Sequence, residues 1–316
     1  MTVTTQLLPA MDEVLSARDR LQGIAIRTPL LQLHGSDTIW IKPECLQPVG
    51  SFKLRGIYNA VAALSPEERA RGVSTVSSGN TAQALSWAAR RFGVPARSVM
   101  PLTTAANKVA ATEAYGGTPD LMSGERAFGY LRAGGYHDFP DTFIHPVANR
   151  DVIAGHGSIG LEIDEDMPEV EAVYVPIGGG GLISGIANVL KTLCPSIRII
   201  GVQPSGCTPV IAGLAAGDSV DVTVDTICDG VAVSFMFPEM FPLLRDLVDE
   251  IVTVSDDNVR DAIRHLALKT KIIAEGAGAL AVAAALQSGS SGKKIAIVSG
   301  GSIDADRLAE IVTDSR

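Results

Sequence analysis

The chain has 316 residues, of which 46% are apolar and 19% charged, enough to bury a large core and long enough to suggest about two domains. A formal net charge of −9, with no Lys/Arg cluster, excludes a general polyanion binder, so nucleic acid is not an expected partner. No stretch approaches about 18 uninterrupted apolar residues, and the start, MTVTTQLLPAMDEVLSARDRL, lacks a basic segment followed by an apolar core, which predicts a cytoplasmic protein with no membrane partner.

In chain order, short β-branched apolar runs alternate with helical periodicity. A strand at GVSTVSS leads into a helix at TAQALSWAARRFG, with Leu85, Ala88 and Phe92 on one face and Gly93 as its stop. Strand ARSVMP, helix AANKVAATEAYGG and strand TPDLM follow, then a helix near ERAFGYLRAGG and the short apolar TFIHP. The second half continues with strand EAVYVPI, helix LISGIANVLKTL, strand SIRIIGVQP and helix PVIAGLAAG. Strand EIVTVS, helices DDNVRDAIRHLALKT and GAGALAVAAALQ, strand KKIAIVSGG and a closing helix complete it. This alternation predicts an α/β protein with two lobes, each a mostly parallel sheet flanked by helices, and a cleft between them.

The most informative stretch is VYVPIGGGGLISGIANVL. Gly178, Gly179, Gly180 and Gly181 leave a buried strand and enter a helix, so backbone N–H groups can converge on an anion at the positive helix end. A nucleotide P-loop is excluded because Leu182 and Ile183 stand where Lys and Ser/Thr are required. A dinucleotide fingerprint fails because Ile183 holds its last glycine position and the next strand ends in GVQP, with Gln203 in place of an acid. A glycine turn without a ligand is the plain alternative, but it leaves several N–H groups without acceptors. A second strand-to-helix turn carries Ser77, Ser78, Gly79, Asn80 and Thr81, side chains that more often are only helix caps but can also serve as anion donors. With Lys53 in PVGSFKLRGIYNA, the two turns suggest a phosphorylated ligand in one and a carboxylate in the other.

The motifs GSFKLRGIYNA, SSGNTAQA, MPLTTAANKVAATEAYGGT, HPVANRDVIAGHGSIGLEI, VPIGGGGLISG, TICDGVAV, AEGAGALA and VSGGSID occur in the order seen in pyridoxal-phosphate (PLP) enzymes of fold type II. The chain resembles the threonine/serine dehydratase and serine racemase branch from near residue 17 to Asp304. The resemblance implies a large cofactor-binding domain over 1–69 and 146–316 and a small mobile domain over 70–145, with the active site in the cleft. It implies that Lys53 carries pyridoxal 5′-phosphate as an imine and later acts as base at Cα. Phe52 would pack on the pyridine ring, Asn80 would bond its 3′ oxygen, Gly178 to Gly181 would hold the phosphate, Gly230 and Glu275 would line the ring pocket, and Ser299 would face the ring nitrogen. A hydroxyl there, unlike a carboxylate, does not hold the ring nitrogen protonated, which suits rapid loss of a β-substituent better than transamination.

The substrate carboxylate would lie on the turn formed by Ser77, Ser78, Asn80 and Thr81. The expected activity is elimination from a β-hydroxy amino acid such as L-threonine, L-serine or 3-hydroxyaspartate, giving a 2-oxo acid and ammonia. Ser78 is the second candidate catalytic residue, because racemases of the family carry serine there; racemisation of serine or aspartate is the alternative. Thr81, where the branch usually has histidine, adds β- or γ-replacement as a further alternative, and a non-catalytic binder of a phosphorylated metabolite is the reading from another class.

GVQPSGCTPVIAG presents Gln203, Thr208 and Pro209 where racemase-like members carry metal-binding carboxylates, so no metal site is expected. Arg126 and Arg132 lie where relatives place a substrate arginine, but read more simply as a solvated helix face. His145 and His156 read as structural. Ser302 stands where asparagine is usual. Cys45, Cys194, Cys207 and Cys228 form no CxxC pair and read as buried, reduced thiols. The resemblance also suggests a homodimer.

Overall fold

The computed structural model describes residues 6–133 and 135–314. The first five residues, Gly134 of the expected ERAFGYLRAGG helix, and the last two residues of the chain lie outside the described residues. Strands are β1 (Leu31–Gln32), β2 (Ile39–Lys42), β3 (Val73–Val76), β4 (Ala96–Pro101), β5 (Thr118–Met122), β6 (Thr142–Phe143), β7 (Ala172–Pro176), β8 (Arg198–Pro204), β9 (Glu250–Val254) and β10 (Lys294–Ile297). Helices are α1 (Met11–Arg20), α2 (Lys53–Ala63), α3 (Pro66–Ala70), α4 (Asn80–Phe92), α5 (Ala106–Ala114), α6 (Gly124–Ala133), α7 (Arg150–Asp166), α8 (Gly181–Leu193), α9 (Pro209–Ala216), α10 (Phe241–Leu247), α11 (Asp256–His265), α12 (Gly276–Gln287) and α13 (Ala305–Thr313).

Two sheets organise these elements. One has strand order β1-β2-β10-β7-β8-β9 and is parallel except for the antiparallel β1–β2 pair. The other, β5-β4-β3-β6, is parallel throughout and comes from one continuous run of chain between β2 and β7. The expected α/β architecture is therefore present. Central strands such as β7 and β10 are buried along their whole length, as strands covered on both faces must be.

Helix α7 lies at the centre of the packing and contains Gly155, Gly157 and Gly160, poor helix formers by propensity. Their absence of side chains is what the packing requires. A Cβ on Gly155 would stand 2.5 Å from the Arg55 carbonyl oxygen of α2, and one on Gly56 2.7 Å from the Val152 carbonyl oxygen. A Cβ on Gly160 would lie 2.9 Å from Val189 Cβ of α8. Close contact between α2 and α7 fixes the helix whose first residue is Lys53.

A buried ion cluster fixes the same helix. The Arg55 guanidinium donates to Glu44 (Nε–Oε2 2.7 Å, Nη2–Oε1 2.9 Å) and to Glu162 on α7 (Nη1–Oε1 2.6 Å, Nη2–Oε2 3.0 Å). Lys42 Nζ adds 2.7 Å to Glu162 Oε2 and donates to the Thr28 carbonyl at 2.6 Å. Burial alone would disfavour the charged Arg55, but the two carboxylates outweigh it and raise its pKa. The cysteines depart partly from expectation: all four are free, Cys207 and Cys228 are buried, but Cys45 and Cys194 are only half-buried.

Candidate active site

Three strand ends converge on one cavity of about 840 Å³. The turn after β3 supplies Ser77 to Thr81, the turn after β7 supplies Gly178 to Gly181, and the stretch after β10 supplies Ser299 and Ser302. A ligand crevice beyond the carboxyl ends of parallel strands is what this topology provides. Lys53 reaches it because the preceding segment is stitched to the end of β10: Phe52 N donates to Ser299 O at 3.0 Å, and Gly301 N to Gly50 O at 2.9 Å.

Every residue expected at the site borders this cavity: Phe52, Lys53, Ser77, Ser78, Asn80, Thr81, the four loop glycines, Gly230, Glu275 and Ser299. Lys53 keeps part of its surface open to the cavity, while its amine lies 3.5 Å from the Pro146 carbonyl oxygen and 4.9 Å from the Phe52 ring centroid. Desolvation, with no carboxylate to offset it, lowers the amine's pKa to about 8.

The glycine loop is shaped by what surrounds it. Gly180 adopts φ +99°, a conformation that disfavours any side chain, and a Cβ on Gly179 would stand 2.5 Å from Val147 Cγ2. The first bond of α8 runs from Ser184 N to Gly180 O at 3.0 Å, so the N–H groups ahead of it have no partner within the helix.

Across the cavity, Asn80 Nδ2 donates to Glu275 Oε1 at 2.8 Å. Burial, and then the charge of Asp229, push the Glu275 carboxyl up to about 7, against the opposing pull of Asn80 and Lys108. Ser299 Oγ donates to the Ala277 carbonyl oxygen at 3.2 Å and can turn its hydrogen elsewhere. The Ser77 hydroxyl accepts from Gly79 N at 3.3 Å, bracing the turn, and Thr81 is buried at the first turn of α4.

The structure separates several other candidates from the cavity. Arg126 is exposed and bonded to Tyr130, and Arg132 is held by Asp221; their helix presents Phe128 and Leu131 to the cavity instead. His145 Nδ1 accepts from Val147 N (3.1 Å) and Ala148 N (2.7 Å), and burial followed by the nearby Lys53 charge lowers its pKa to about 4. His156 is buried against Phe52, ring centroids 4.8 Å apart, and is held well below its ordinary range by burial. Gln203 is buried and accepts from Ile211 N at 3.3 Å. The cavity also includes Lys108, Asp229, Val233, Phe235 and Phe237, which sequence reasoning did not select. A lysine on an amphipathic helix carries no local signal that it faces a ligand.

Residues 21–301 match the family described as pyridoxal-phosphate dependent enzyme. The chain belongs to the pyridoxal-phosphate-dependent enzymes. Within that family it is 41% identical over 312 residues to the L-threonine ammonia-lyase of Thermotoga maritima, spanning 96% of this chain and 78% of the relative. It is 37% identical to the catabolic L-threonine dehydratase of Escherichia coli (strain K12), over 98% of both chains. The solved structure of maize serine racemase superposes with a TM-score of 0.88 at 34% identity, covering 96% of each chain.

The cavity of this PLP-dependent enzyme fits its cofactor class on its own geometry. The loop that a Cβ would obstruct presents unpartnered N–H groups suited to a phosphate. In the same cavity, Lys53 offers an amine whose lowered pKa leaves a usable neutral fraction for condensation with an aldehyde.

Proposed function

We propose that this enzyme is an ammonia-lyase that eliminates the β-hydroxyl of an amino acid such as L-threonine or L-serine, giving a 2-oxo acid and ammonia. The observation that carries the reading is the single cavity in which the desolvated Lys53 amine, the glycine loop and the Ser77–Thr81 turn all meet. Bound pyridoxal phosphate supplies an electron-withdrawing ring that makes the substrate Cα–H acidic. Lys53 anchors the cofactor, and its freed neutral amine takes the Cα proton. The N–H groups and hydroxyls of the Ser77–Thr81 turn orient the substrate carboxylate, the Gly178–Gly181 loop holds phosphate, and Asn80 and Ser299 meet the ring's polar edge. These roles agree with the threonine ammonia-lyase and dehydratase names of the relatives.

Racemisation is the second reading, favoured by Ser78 bordering the same cavity as Lys53 and by the likeness to a serine racemase. A panel of L- and D-serine, L-threonine and 3-hydroxyaspartate, scored for 2-oxo acid, ammonia and chirality, separates the two. Turnover to 2-oxo acid with no enantiomer formed supports the lyase; enantiomer without 2-oxo acid overturns it.

The domain boundaries at 69/70 and 145/146 and the mobility of the inserted lobe belong to this reading, as does a cytoplasmic homodimer. No helix among the described residues is long and apolar enough to cross a membrane. Ile26 and Leu46 are 45% and 44% exposed, and Gln47 ties their segments together through bonds to Ile26 N (2.9 Å) and Ile26 O (2.8 Å). Self-association is part of the proposal, as the resemblance suggests. Sedimentation tests it, with a concentration-independent monomer as the contrary result.

A further inference from the structure

The two sheets share no strand pairing, so their relative placement depends on contacts across the cleft. On one side, α2 packs against α4. At the mouth, two acids on an irregular stretch between α9 and α10 meet two cations from the helices of the four-stranded sheet. Lys108 of α5 pairs with Asp229, and both line the cavity. Arg132 of α6 holds both carboxylate oxygens of Asp221, Nη1 lying 3.2 Å from Oδ2, with its guanidinium 4.0 Å over the Phe235 ring.

The acidic stretch is anchored to its own lobe. Thr226 Oγ1 donates to Asp256 Oδ1 at 2.7 Å, Ile227 N to Asp256 Oδ2 at 2.8 Å, and Asp225 N to Gly206 O at 3.0 Å, while a bond from Val222 N to Ser234 O at 2.8 Å closes the stretch on itself. A pull on Asp229 or Asp221 is therefore transmitted to the six-stranded sheet. On the other lobe, α5 and α6 flank the sheet whose β3 ends in the Ser77–Thr81 turn. The turn and Lys53 thus belong to different lobes, and efficient proton removal demands that they meet in register.

We propose that Lys108 and Asp229, backed by Arg132 and Asp221, are positioning residues that draw the four-stranded lobe over the cavity and set the Ser77–Thr81 turn against Lys53. The Lys108–Asp229 pair lies at the mouth of the cavity, and Arg132 and Asp221 lie outside its lining. All four side chains are partly exposed, 33% for Lys108 and 52% for Asp229, so each pair biases closure only modestly and is screened by salt. A weak bias lets the cleft reopen after each turnover.

The activity arm of the test rests on the elimination reading; the exchange arm does not. Lys108→Glu, Asp229→Lys and the double charge swap are compared with the wild type, all loaded with pyridoxal phosphate and checked for the same absorbance band. Each single variant should raise KM for L-threonine about 5-fold or more, with a smaller change in kcat, and the swap should return KM to within about 2-fold of wild type, as coupled charges require. Amide exchange of the Ser77–Thr81 turn should quicken in each single variant and slow again in the swap. A swap no better than the single variants in both readouts overturns the proposal, as does unchanged KM and exchange in the single variants. If the wild type binds cofactor but eliminates from no β-hydroxy amino acid, the elimination reading fails and the exchange arm alone decides the positioning role.

Discussion

Asn80 and Glu275, 195 residues apart in the chain, meet across the cavity through a 2.8 Å bond from Nδ2 to Oε1. The first residue of α4 is thereby tied to the residue that precedes α12. Gly300 has to be glycine beside them, because a Cβ there would stand 2.3 Å from Glu275 Oε1 and 3.2 Å from Asn80 Nδ2. The first glycine of VSGG is thus explained by the pair it accommodates.

Glu275 makes the stability of the cofactor-free protein depend on pH. Its carboxyl is raised from 4.5 to about 7, so between these values the folded protein holds a proton that the unfolded chain has lost. Stability should therefore fall as pH rises from 4.5 towards 7 and level off above. Thermal melts should show Glu275→Gln gaining on the wild type across that window, by an amount bounded at about 3 kcal/mol. Parallel curves for the two proteins would mean that the carboxyl is ionised throughout.

Lys53 sets the pH at which cofactor can be captured. With its amine lowered from 10.5 to about 8, the neutral nucleophile grows in as pH rises through about 8. The rate of visible-band formation on mixing apoprotein with pyridoxal phosphate should climb through that midpoint. The same shift disfavours the folded state while the amine is protonated, a penalty relieved between about 8 and 10.5. Lys53→Ala should form no borohydride-trappable adduct, lose turnover by about 10³-fold or more, and melt within a few degrees of wild type. Retained turnover in that variant would refute the assignment of the base.

The glycine loop predicts a rescue. Gly179→Ala places a methyl against Val147, overpacking that should cost about 1–3 kcal/mol and weaken cofactor affinity at least about 10-fold. Adding Val147→Ala should recover part of both losses, read by urea unfolding and by cofactor titration. Failure of the second change to help would place the damage in the loop backbone.

Arg55 should be among the most destabilising residues to truncate. Arg55→Met leaves Glu44 and Glu162 buried around an empty centre, a loss of about 3–5 kcal/mol by denaturant unfolding. A loss below about 1 kcal/mol would show that water or Lys42 can compensate.

Much of the fold was legible locally. ARSVMP, TPDLM and GAGALAVAAALQ are elements with the bounds their residue patterns suggest, and Gly93 ends α4 in the left-handed conformation at φ +68°. The expected DDNVRDAIRHLALKT helix is α-helical only to His265, with a π turn over Leu266–Thr270. The strands at 31–32 and 39–42 and helix α7 were not selected as elements. The glycines of α7 are poor helix formers, yet they permit its contacts with α2 and α8.

By itself, the sequence determined the alternation of strands and helices, the anion-receptive backbone of Gly178 to Gly181 and the set of residues worth testing, because periodicity, glycine and turn chemistry act within a few residues of one another. Only the tertiary structure decided that Asn80 pairs with Glu275, that Lys108 meets Asp229, that Arg126 and Arg132 stay out of the cavity, and that burial lowers the Lys53 amine to about 8 and raises the Glu275 carboxyl to about 7. Those properties depend on desolvation and on charges brought in from distant parts of the chain, and no local pattern of residues encodes them.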